Sequence, residues 1–171
     1  MKLSAKRIAT LAILLACALI IFIIESLLPP LLPVAPYVKI GLANSVVLFV
    51  IAVFGTRDGF IFVLAKNLLG ALFGSWFAFA FNIAGGISSY IVMMLLYKFV
   101  FPKVSLIAIS VAGAVISNIS RTVVAVLLMQ ANALFVQLPV VCAFSIAAGV
   151  FVGILSVLLI KYLPERLTNQ E

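Results

Sequence analysis

The hydrophobic pattern divides the chain into long apolar runs, separated by short breaks that contain charged residues, proline or glycine. Runs of about 20 apolar residues match the helix length needed to cross the hydrocarbon core of a membrane. The pattern therefore predicts an all-α membrane protein with six transmembrane helices in a single domain, residues 1–171. The predicted spans are approximately 8–28, 39–54, 60–75, 82–101, 105–128 and 139–163.

The beginning of the chain allows two interpretations. A basic segment followed by an apolar run is also typical of a signal peptide. The run 8–28 is longer than the apolar part of most signal peptides, and no convincing small-residue cleavage motif follows it, so we interpret it as a retained span. The proline-rich segment 29–36 cannot continue the helix, and its uncharged, apolar composition predicts a partly buried cap over the outer surface.

Composition supports the membrane assignment and changes how the net charge is interpreted. Of the 171 residues, 67% are hydrophobic and only 9% are charged, which is too few to cover the surface of a soluble domain. The formal net charge of +7 would suggest a nucleic-acid partner in a soluble protein. In this chain the positive charges flank apolar runs, where they orient the spans in the membrane. We therefore expect the protein to be surrounded by membrane lipid and to bind no nucleic acid.

The positive charges lie mostly on one side of the six-span arrangement. Eight of the eleven Lys and Arg residues fall on that side, and the turns after the third and fifth spans carry none. Under the positive-inside rule, this asymmetry predicts a multi-pass protein of the plasma membrane with both termini in the cytoplasm. The eight residues are Lys2, Lys6, Arg7, Arg57, Lys98, Lys103, Lys161 and Arg166.

Four charged residues depart from this pattern and map to the outer half of the membrane: Glu25, Lys39, Lys66 and Arg121. A charge at mid-bilayer costs roughly 2.5–3.5 kcal/mol on insertion scales, so such residues usually face a protected interior. Snorkelling explains Lys66 and Arg121 poorly, because both lie well inside their apolar runs. One carboxylate neutralises one cation and leaves about two positive charges, which predicts a substrate with a carboxylate or a phosphate. The alternative is a purely structural charge network with Glu25.

Uncharged polar residues and glycines occur at similar depths and complete the predicted substrate site. Gly85 and Gly86 would expose backbone groups to a ligand, because glycine has no side chain. The aromatic residues of the segment 76–81 either stack on a planar substrate or form an interfacial aromatic belt. The uncharged candidates are Asn44, Asn67, Asn82, Gly85, Gly86, Ser88 and Asn118.

The chain offers few groups for catalysis. It has four acidic residues and no histidine, and only Glu25 lies near the other predicted site residues. It contains no acidic pair that would hold magnesium on a diphosphate, no nucleophile–histidine pair and no Walker-type glycine-rich loop. We therefore do not expect the chain to be an enzyme or an ATPase by itself, and we expect no metal or other cofactor.

Small residues at regular spacing predict close contacts between helices. Ala9, Ala12 and Ala16 belong to a strip of small residues along the first helix. This strip either packs internally or docks a partner membrane protein. The glycine pairs are Gly70-x-x-x-Gly74 and Gly149-x-x-x-Gly153.

Several short strings occur along the chain in a fixed order. They are Glu25-Ser-Leu-Leu-Pro29, Val38-Lys39-Ile40-Gly41-Leu42-Ala43-Asn44, Lys66-Asn67-Leu68-Leu69-Gly70, Leu72-Phe73-Gly74 and Gly85-Gly86-Ile87-Ser88-Ser89. These strings resemble the successive signatures of the Gx transporter family, whose members are often labelled heptaprenyl diphosphate synthase component I. The chain departs from the family pattern at Lys66, where an arginine is usual, and at Arg121, which adds a charge.

The resemblance implies a relation to the substrate-binding S components of energy-coupling factor (ECF) vitamin transporters and an ECF S-component-like bundle. Such a protein would bind a small anionic metabolite, such as a vitamin or a quinone precursor. An ECF-type transmembrane coupling protein, docked on Ala9, Ala12 and Ala16, and two ATPase subunits would energise its uptake. The family label implies an alternative, a non-catalytic membrane subunit of heptaprenyl diphosphate synthase. The outer position of the predicted site favours uptake, because prenyl diphosphates are made in the cytoplasm.

Overall fold

The computed structural model describes residues 5–28, 35, 37–72 and 76–162. Within these residues the regular secondary structure is helical, which confirms the predicted all-α class. A short 3₁₀-helix, Asn132–Gln137, precedes the last of six α-helices. The α-helices are α1 (Ala5–Leu27), α2 (Ala43–Phe54), α3 (Thr56–Ala71), α4 (Trp76–Phe99), α5 (Leu106–Met129) and α6 (Leu138–Tyr162).

Four helical segments are long and apolar enough to cross a membrane: α1, α4, α5 and the stretch Asn132–Tyr162. α2 and α3 are shorter, with 12 and 16 residues. They extend over about 18 and 24 Å, compared with about 30 Å for a hydrocarbon core. Four of the six predicted spans therefore correspond to a helix of sufficient length. The predicted proline-rich cap lies outside the described residues except for Ala35, which is buried.

Two glycines explain why α2 and α3 differ from their predicted bounds. Gly41 has a φ of 80° and turns the chain just before α2, so that the helix begins at Ala43 and not at Lys39. Gly55 has a φ of 96° and joins α2 to α3 by itself. Glycine adopts such positive φ values readily, and they end a helix. The structure therefore has a junction of one residue, Gly55, where the sequence predicted a turn over 55–59.

α2 forms the buried centre of the bundle. Eight of its 12 residues are buried, and it contacts α1, α3, α4 and α6. Leu48, Val50 and Ile51 have no exposed surface. Apolar side chains on every face suit a helix that is surrounded by protein. α2 is therefore the helix around which α1, α3, α4 and α6 pack.

Side chains from two neighbouring helices satisfy the C-terminal end of α2. Arg7 of α1 donates a hydrogen bond from Nη2 to the Phe54 carbonyl (2.8 Å), and the Tyr97 hydroxyl of α4 donates to the Ala52 carbonyl (3.2 Å). Arg7 also forms a 2.6 Å ion pair with Asp58 in the first turn of α3. The last carbonyls of a helix have no partners within it, so these bonds replace the missing ones.

The close approach predicted for the glycine pair of α6 is confirmed. A Cβ atom on Gly149 would lie 2.6 Å from the Cα of Val111 in α5, and one on Gly153 would lie 2.8 Å from the Cα of Ile107. Any larger side chain would therefore push the two backbones apart. The second predicted pair, at positions 70 and 74, includes a residue outside the described part of the chain.

Sequential helices run in opposite directions. Arg7 bonds to the end of α2 at Phe54, whereas Glu25 bonds to Gly41 just before α2 begins, so α1 and α2 are antiparallel. α5 and α6 are also antiparallel, because Gly149 lies against Val111 and the later Gly153 lies against the earlier Ile107. As a result, six of the nine described Lys and Arg residues lie at one end of the bundle, which we call the basic end. They are Lys6, Arg7, Arg57, Lys98, Lys103 and Lys161, while Lys2 and Arg166 lie outside the described residues.

Candidate functional site

The three remaining Lys and Arg residues of the described chain, Lys39, Lys66 and Arg121, line a single cavity opposite the basic end. We call it the polar cavity. Helices α1 to α5 and the segment before α2 form its walls, and Phe22, Gly41 and Ala43 are lining residues that are absent from the predicted site. Eight of the eleven predicted site residues line it: Glu25, Lys39, Asn44, Lys66, Asn67, Asn82, Gly86 and Arg121.

The polar cavity is small. Its volume is about 10 Å³, and a cavity needs about 10–15 Å³ to hold one water molecule. The Lys66 and Arg121 side chains are only 5% and 7% exposed. The bundle is therefore closed around its charged side chains, and an organic molecule does not fit inside the polar cavity in this arrangement.

Lys66 and Arg121 each bond to an asparagine side chain. Lys66 Nζ donates to Asn44 Oδ1 at the start of α2 (2.9 Å), and Arg121 Nη1 donates to Asn82 Oδ1 on α4 (3.0 Å). An amide oxygen accepts a hydrogen bond but carries no formal charge. These two partners therefore orient the cations and leave their positive charges uncompensated.

Glu25 brings a carboxylate to the polar cavity, but it bonds to the backbone. Its Oε1 accepts a 2.6 Å hydrogen bond from the Gly41 N–H. The described residues form one ion pair, between Arg7 and Asp58 at the basic end. Within this part of the chain, Glu25 therefore has no Lys or Arg at ion-pair distance. Three cations and one carboxylate leave a formal excess of two positive charges around the polar cavity.

Lys39 has a different environment from the other two cations. Its Nζ donates to Ser26 Oγ (2.7 Å) and lies 4.5 Å from the ring centroid of Phe22. An ammonium over an aromatic face is attracted by the negative charge density of the ring. Phe22 and Ser26 are four residues apart and share one face of α1. That face therefore holds the Lys39 side chain beside the polar cavity.

Asn118 holds the backbone of Lys39 and does not line the polar cavity. Its Oδ1 accepts from the Lys39 N–H (3.3 Å), and its Nδ2 donates to the Lys39 carbonyl (3.1 Å) and to Ser145 Oγ (2.9 Å). The amide thus pairs with a peptide group in the way that a neighbouring strand would. The sequence predicts a substrate contact here, and the structure places the Asn118 side chain on the Lys39 backbone, where it positions this residue.

The two adjacent glycines of α4 make room for side chains from two different helices. A Cβ on Gly85 would lie 2.6 Å from Nε of Arg121, and a Cβ on Gly86 would lie 2.5 Å from Nδ2 of Asn67. Any residue larger than glycine would displace these side chains. Ser88, also a predicted site residue, donates to carbonyls of its own helix and does not line the polar cavity.

A second pocket, of about 240 Å³, opens beside the polar cavity. We call it the aromatic pocket. Phe77 and Phe81 of the predicted aromatic segment line it, whereas Trp76 and Phe79 pack on each other with ring centroids 5.5 Å apart. Its lining residues are Tyr37, Lys39, Phe77, Ala78, Phe81, Asn82, Arg121 and Met129.

Some of the lining residues absent from the prediction carry a signal in the sequence, and others do not. Phe22 lies three residues before Glu25 and therefore on the same face of a helix, so helical spacing indicates it. Tyr37 and Met129 belong to distant parts of the chain, and only the folded structure brings them to one pocket. No periodicity in the sequence connects the two positions.

Comparison with known proteins identifies the family. A family model described as heptaprenyl diphosphate synthase component I matches residues 14–159, a range that includes every residue of the predicted substrate site. The chain belongs to this family. The resemblance seen in the sequence strings is thereby confirmed, and the described part of the chain is helical and of membrane type. No curated protein and no solved structure matches the chain.

Replacing Asn118 should loosen the segment before α2. Asn118→Ala leaves the Lys39 N–H and C=O without their partners, at a cost of about 1–3 kcal/mol for each buried group that finds no substitute. We expect a lower melting temperature in detergent and faster hydrogen exchange at the Lys39 and Gly41 amides. Ser88→Ala is the matched control, because its hydroxyl bonds within its own helix. Equal exchange in both variants would show that Asn118 does not hold the segment.

Proposed function

We propose that the protein is the substrate-binding membrane subunit of an uptake system for a small anionic metabolite, resembling an ECF S component. The observation that carries the proposal is the polar cavity, where Lys39, Lys66 and Arg121 meet a single described carboxylate, that of Glu25. Removing cations from water without a counter-charge costs several kcal/mol for each ion. An anionic group at the polar cavity would compensate the two excess charges.

The bonding of Glu25 supports a substrate site over a purely structural charge network. In a structural network, Glu25 would form ion pairs with the neighbouring cations. Its Oε1 instead accepts from the Gly41 backbone, and the buried cations Lys66 and Arg121 bond to neutral asparagines. The charge that remains is positive and lies beside polar groups, which is the electrostatic requirement for recognising a carboxylate or a phosphate.

We further propose that all six α-helices contribute to membrane crossing and that both termini are cytoplasmic. The separation of the described cations supports this topology, since six lie at the basic end and three surround the polar cavity. Cytoplasmic loops are enriched in Lys and Arg. The basic end then faces the cytoplasm, and the polar cavity lies toward the outer face of the plasma membrane, where an imported substrate arrives.

Uptake against a gradient requires partners, because the chain has no nucleotide-binding motif. An ECF-type coupling protein and two ATPase subunits would supply the energy. The strip of small residues supports a docking role: Ala9, Ala12 and Ala16 are all exposed, and Ala12 lines a largely apolar groove of about 270 Å³ between α1 and α3. Small side chains allow a partner helix to approach closely.

The family description favours a second candidate function, a non-catalytic membrane subunit of heptaprenyl diphosphate synthase. In that role the partner would be a catalytic synthase subunit on the cytoplasmic side. The position of the polar cavity opposite the basic end supports uptake instead, because a cytoplasmic diphosphate would meet the other end of the bundle. The identity of the co-purified partner distinguishes the two functions.

Two engineered cysteines test the orientation. Ala133 is exposed after α5, and Lys103 is exposed between α4 and α5 at the basic end. In a protein lacking Cys17 and Cys142, an impermeant thiol reagent added to intact cells should label Ala133→Cys and spare Lys103→Cys, because the positive-inside rule keeps the basic end in the cytoplasm. Labelling of Lys103→Cys alone would reverse the proposed orientation.

Removing a cation from the polar cavity should weaken substrate binding. A hydrogen bond to a charged group is worth about 1.5–3 kcal/mol, so Lys66→Met or Arg121→Gln should reduce affinity roughly 10- to 100-fold. Native mass spectrometry of gently purified protein should find a small anion on the wild type and much less on either variant. The melting temperature should not fall, because each change removes a costly buried cation.

Lys98→Met is the matched control, since Lys98 is exposed at the basic end, and this variant should keep the anion. A structural network predicts the reverse pattern for Lys66→Met and Arg121→Gln. In that case the melting temperature falls while the amount of bound anion stays the same, and the substrate site would have to be abandoned.

A bulky residue in the strip should separate partner docking from substrate binding. Ala12→Leu should remove ATPase subunits that co-purify with the protein from membranes while the bound anion is retained, because a larger side chain holds the partner helix away. Cys17→Leu is the control, since Cys17 is also exposed but lies about 100° around the helix from Ala16. Equal loss of anion and partners in Ala12→Leu would mean that the strip supports the fold. Co-purification of a prenyl synthase subunit would favour the second candidate function.

A further inference from the structure

We propose that the substrate is a compact carboxylate with a flat apolar ring system, bound across the polar cavity and the aromatic pocket. The proposal rests on the proposed function, because it uses the same cations to hold the anionic group, and it adds the chemical class of the remaining part of the substrate. The wall that the two cavities share, the lining of the aromatic pocket and the sizes of both support it.

Lys39, Asn82 and Arg121 line both cavities and form the boundary between them. Within the described residues, Arg121 donates from Nη1 to Asn82 Oδ1, and its buried Nε has no hydrogen-bond partner. A guanidinium carries five N–H donors in a planar fork, which matches the two oxygens of a carboxylate. An anionic group at this boundary would therefore meet Arg121 and Lys39 together while the rest of the molecule lies in the aromatic pocket.

Beyond this boundary, the aromatic pocket is lined mainly by aromatic rings and a thioether. The rings of Tyr37 and Phe81 lie 6.0 Å apart with an interplanar angle of 35°. Phe77 and Met129 keep 53% and 52% of their surface exposed, so their side chains remain available for contact. Aromatic rings and methionine sulfur pack favourably against flat apolar groups. The lining thus suits a ring system and offers little to a sugar or to a second charged group.

The sizes of the two cavities limit the substrate further. The polar cavity, at about 10 Å³, has room for little more than a water-sized group. A diphosphate has too many atoms for it, whereas one carboxylate oxygen can reach its edge. The aromatic pocket, at about 240 Å³, is smaller than the roughly 300–1,000 Å³ of pockets for drug-sized ligands. A compact ring carboxylate fits these limits, and a long isoprenoid chain does not.

Three probes test this inference on the purified full-length chain by calorimetric titration. 1-Naphthoate carries both the ring and the charge, acetate carries only the charge, and 1-naphthalenemethanol carries only the ring. We expect 1-naphthoate to bind at least about tenfold more tightly than either of the others, because only it engages both cavities. Phe81→Ala should weaken 1-naphthoate binding about tenfold and leave acetate binding unchanged. Phe79→Ala is the matched control, since Phe79 packs on Trp76 outside the pocket.

Arg121→Gln separates failure of the inference from failure of the proposed function. If acetate binds in a manner that depends on Arg121, but 1-naphthoate binds no more tightly, the ring site is wrong and the anion site stands. Equal weakening by Phe81→Ala and Phe79→Ala would also overturn the ring site, because the loss of affinity would then not depend on contact with the aromatic pocket. If neither anion depends on Arg121, both the inference and the proposed function are wrong.

Discussion

Residues 37–42, directly before α2, must keep their backbone hydrogen-bonded while they lie against an apolar bundle, and the polar cavity depends on how this is achieved. Unpaired N–H and C=O groups cost several kcal/mol each where water is absent. Asn118 satisfies both backbone groups of Lys39, and Glu25 satisfies the Gly41 N–H. These bonds hold Lys39 beside the polar cavity and let α2 begin directly after the turn at Gly41. The buried position of α2 is thus tied to the geometry of the charged site.

The high cost of placing a charge inside an apolar bundle made much of the lining of the polar cavity predictable from the sequence. Lys66 and Arg121 interrupt apolar runs, and the structure places both on one cavity with Lys39 and Glu25. The role of Asn118 was not predictable, because its two bonds to one peptide group depend on how α5 is rotated against a non-helical segment. The number of helices was predictable from the apolar runs. The start of α2 at Ala43 and the one-residue junction at Gly55 were not, because the sequence shows where a glycine lies but not the sign of its φ.

The adjacent glycines of α4 illustrate the same limit. The sequence suggested that Gly85 and Gly86 expose backbone to a ligand, and the structure shows that they admit the side chains of Arg121 and Asn67. Neighbouring residues of a helix point about 100° apart. One glycine therefore faces α5 and the other faces α3, and each removes a clash with a different element. A pair of glycines in a helix can thus serve two separate packing needs, and Gly86 still lines the polar cavity.

The closed polar cavity and its charge excess constrain how an anion could enter. Lys66 and Arg121 belong to helices, and moving α5 would disturb the backbone contacts that Gly149 and Gly153 make with it. Lys39 belongs to the segment before α2, which a few hydrogen bonds attach to Asn118 and Glu25, each worth about 0.5–1.5 kcal/mol if neutral and more where a charge is involved. Tyr37 and Val38 of the same segment are buried in one apolar cluster with Ala125 and Val141, so packing holds this segment as well. Lys39 is therefore the cation of the polar cavity that lies outside a helix, and its position depends on side-chain hydrogen bonds in addition to packing.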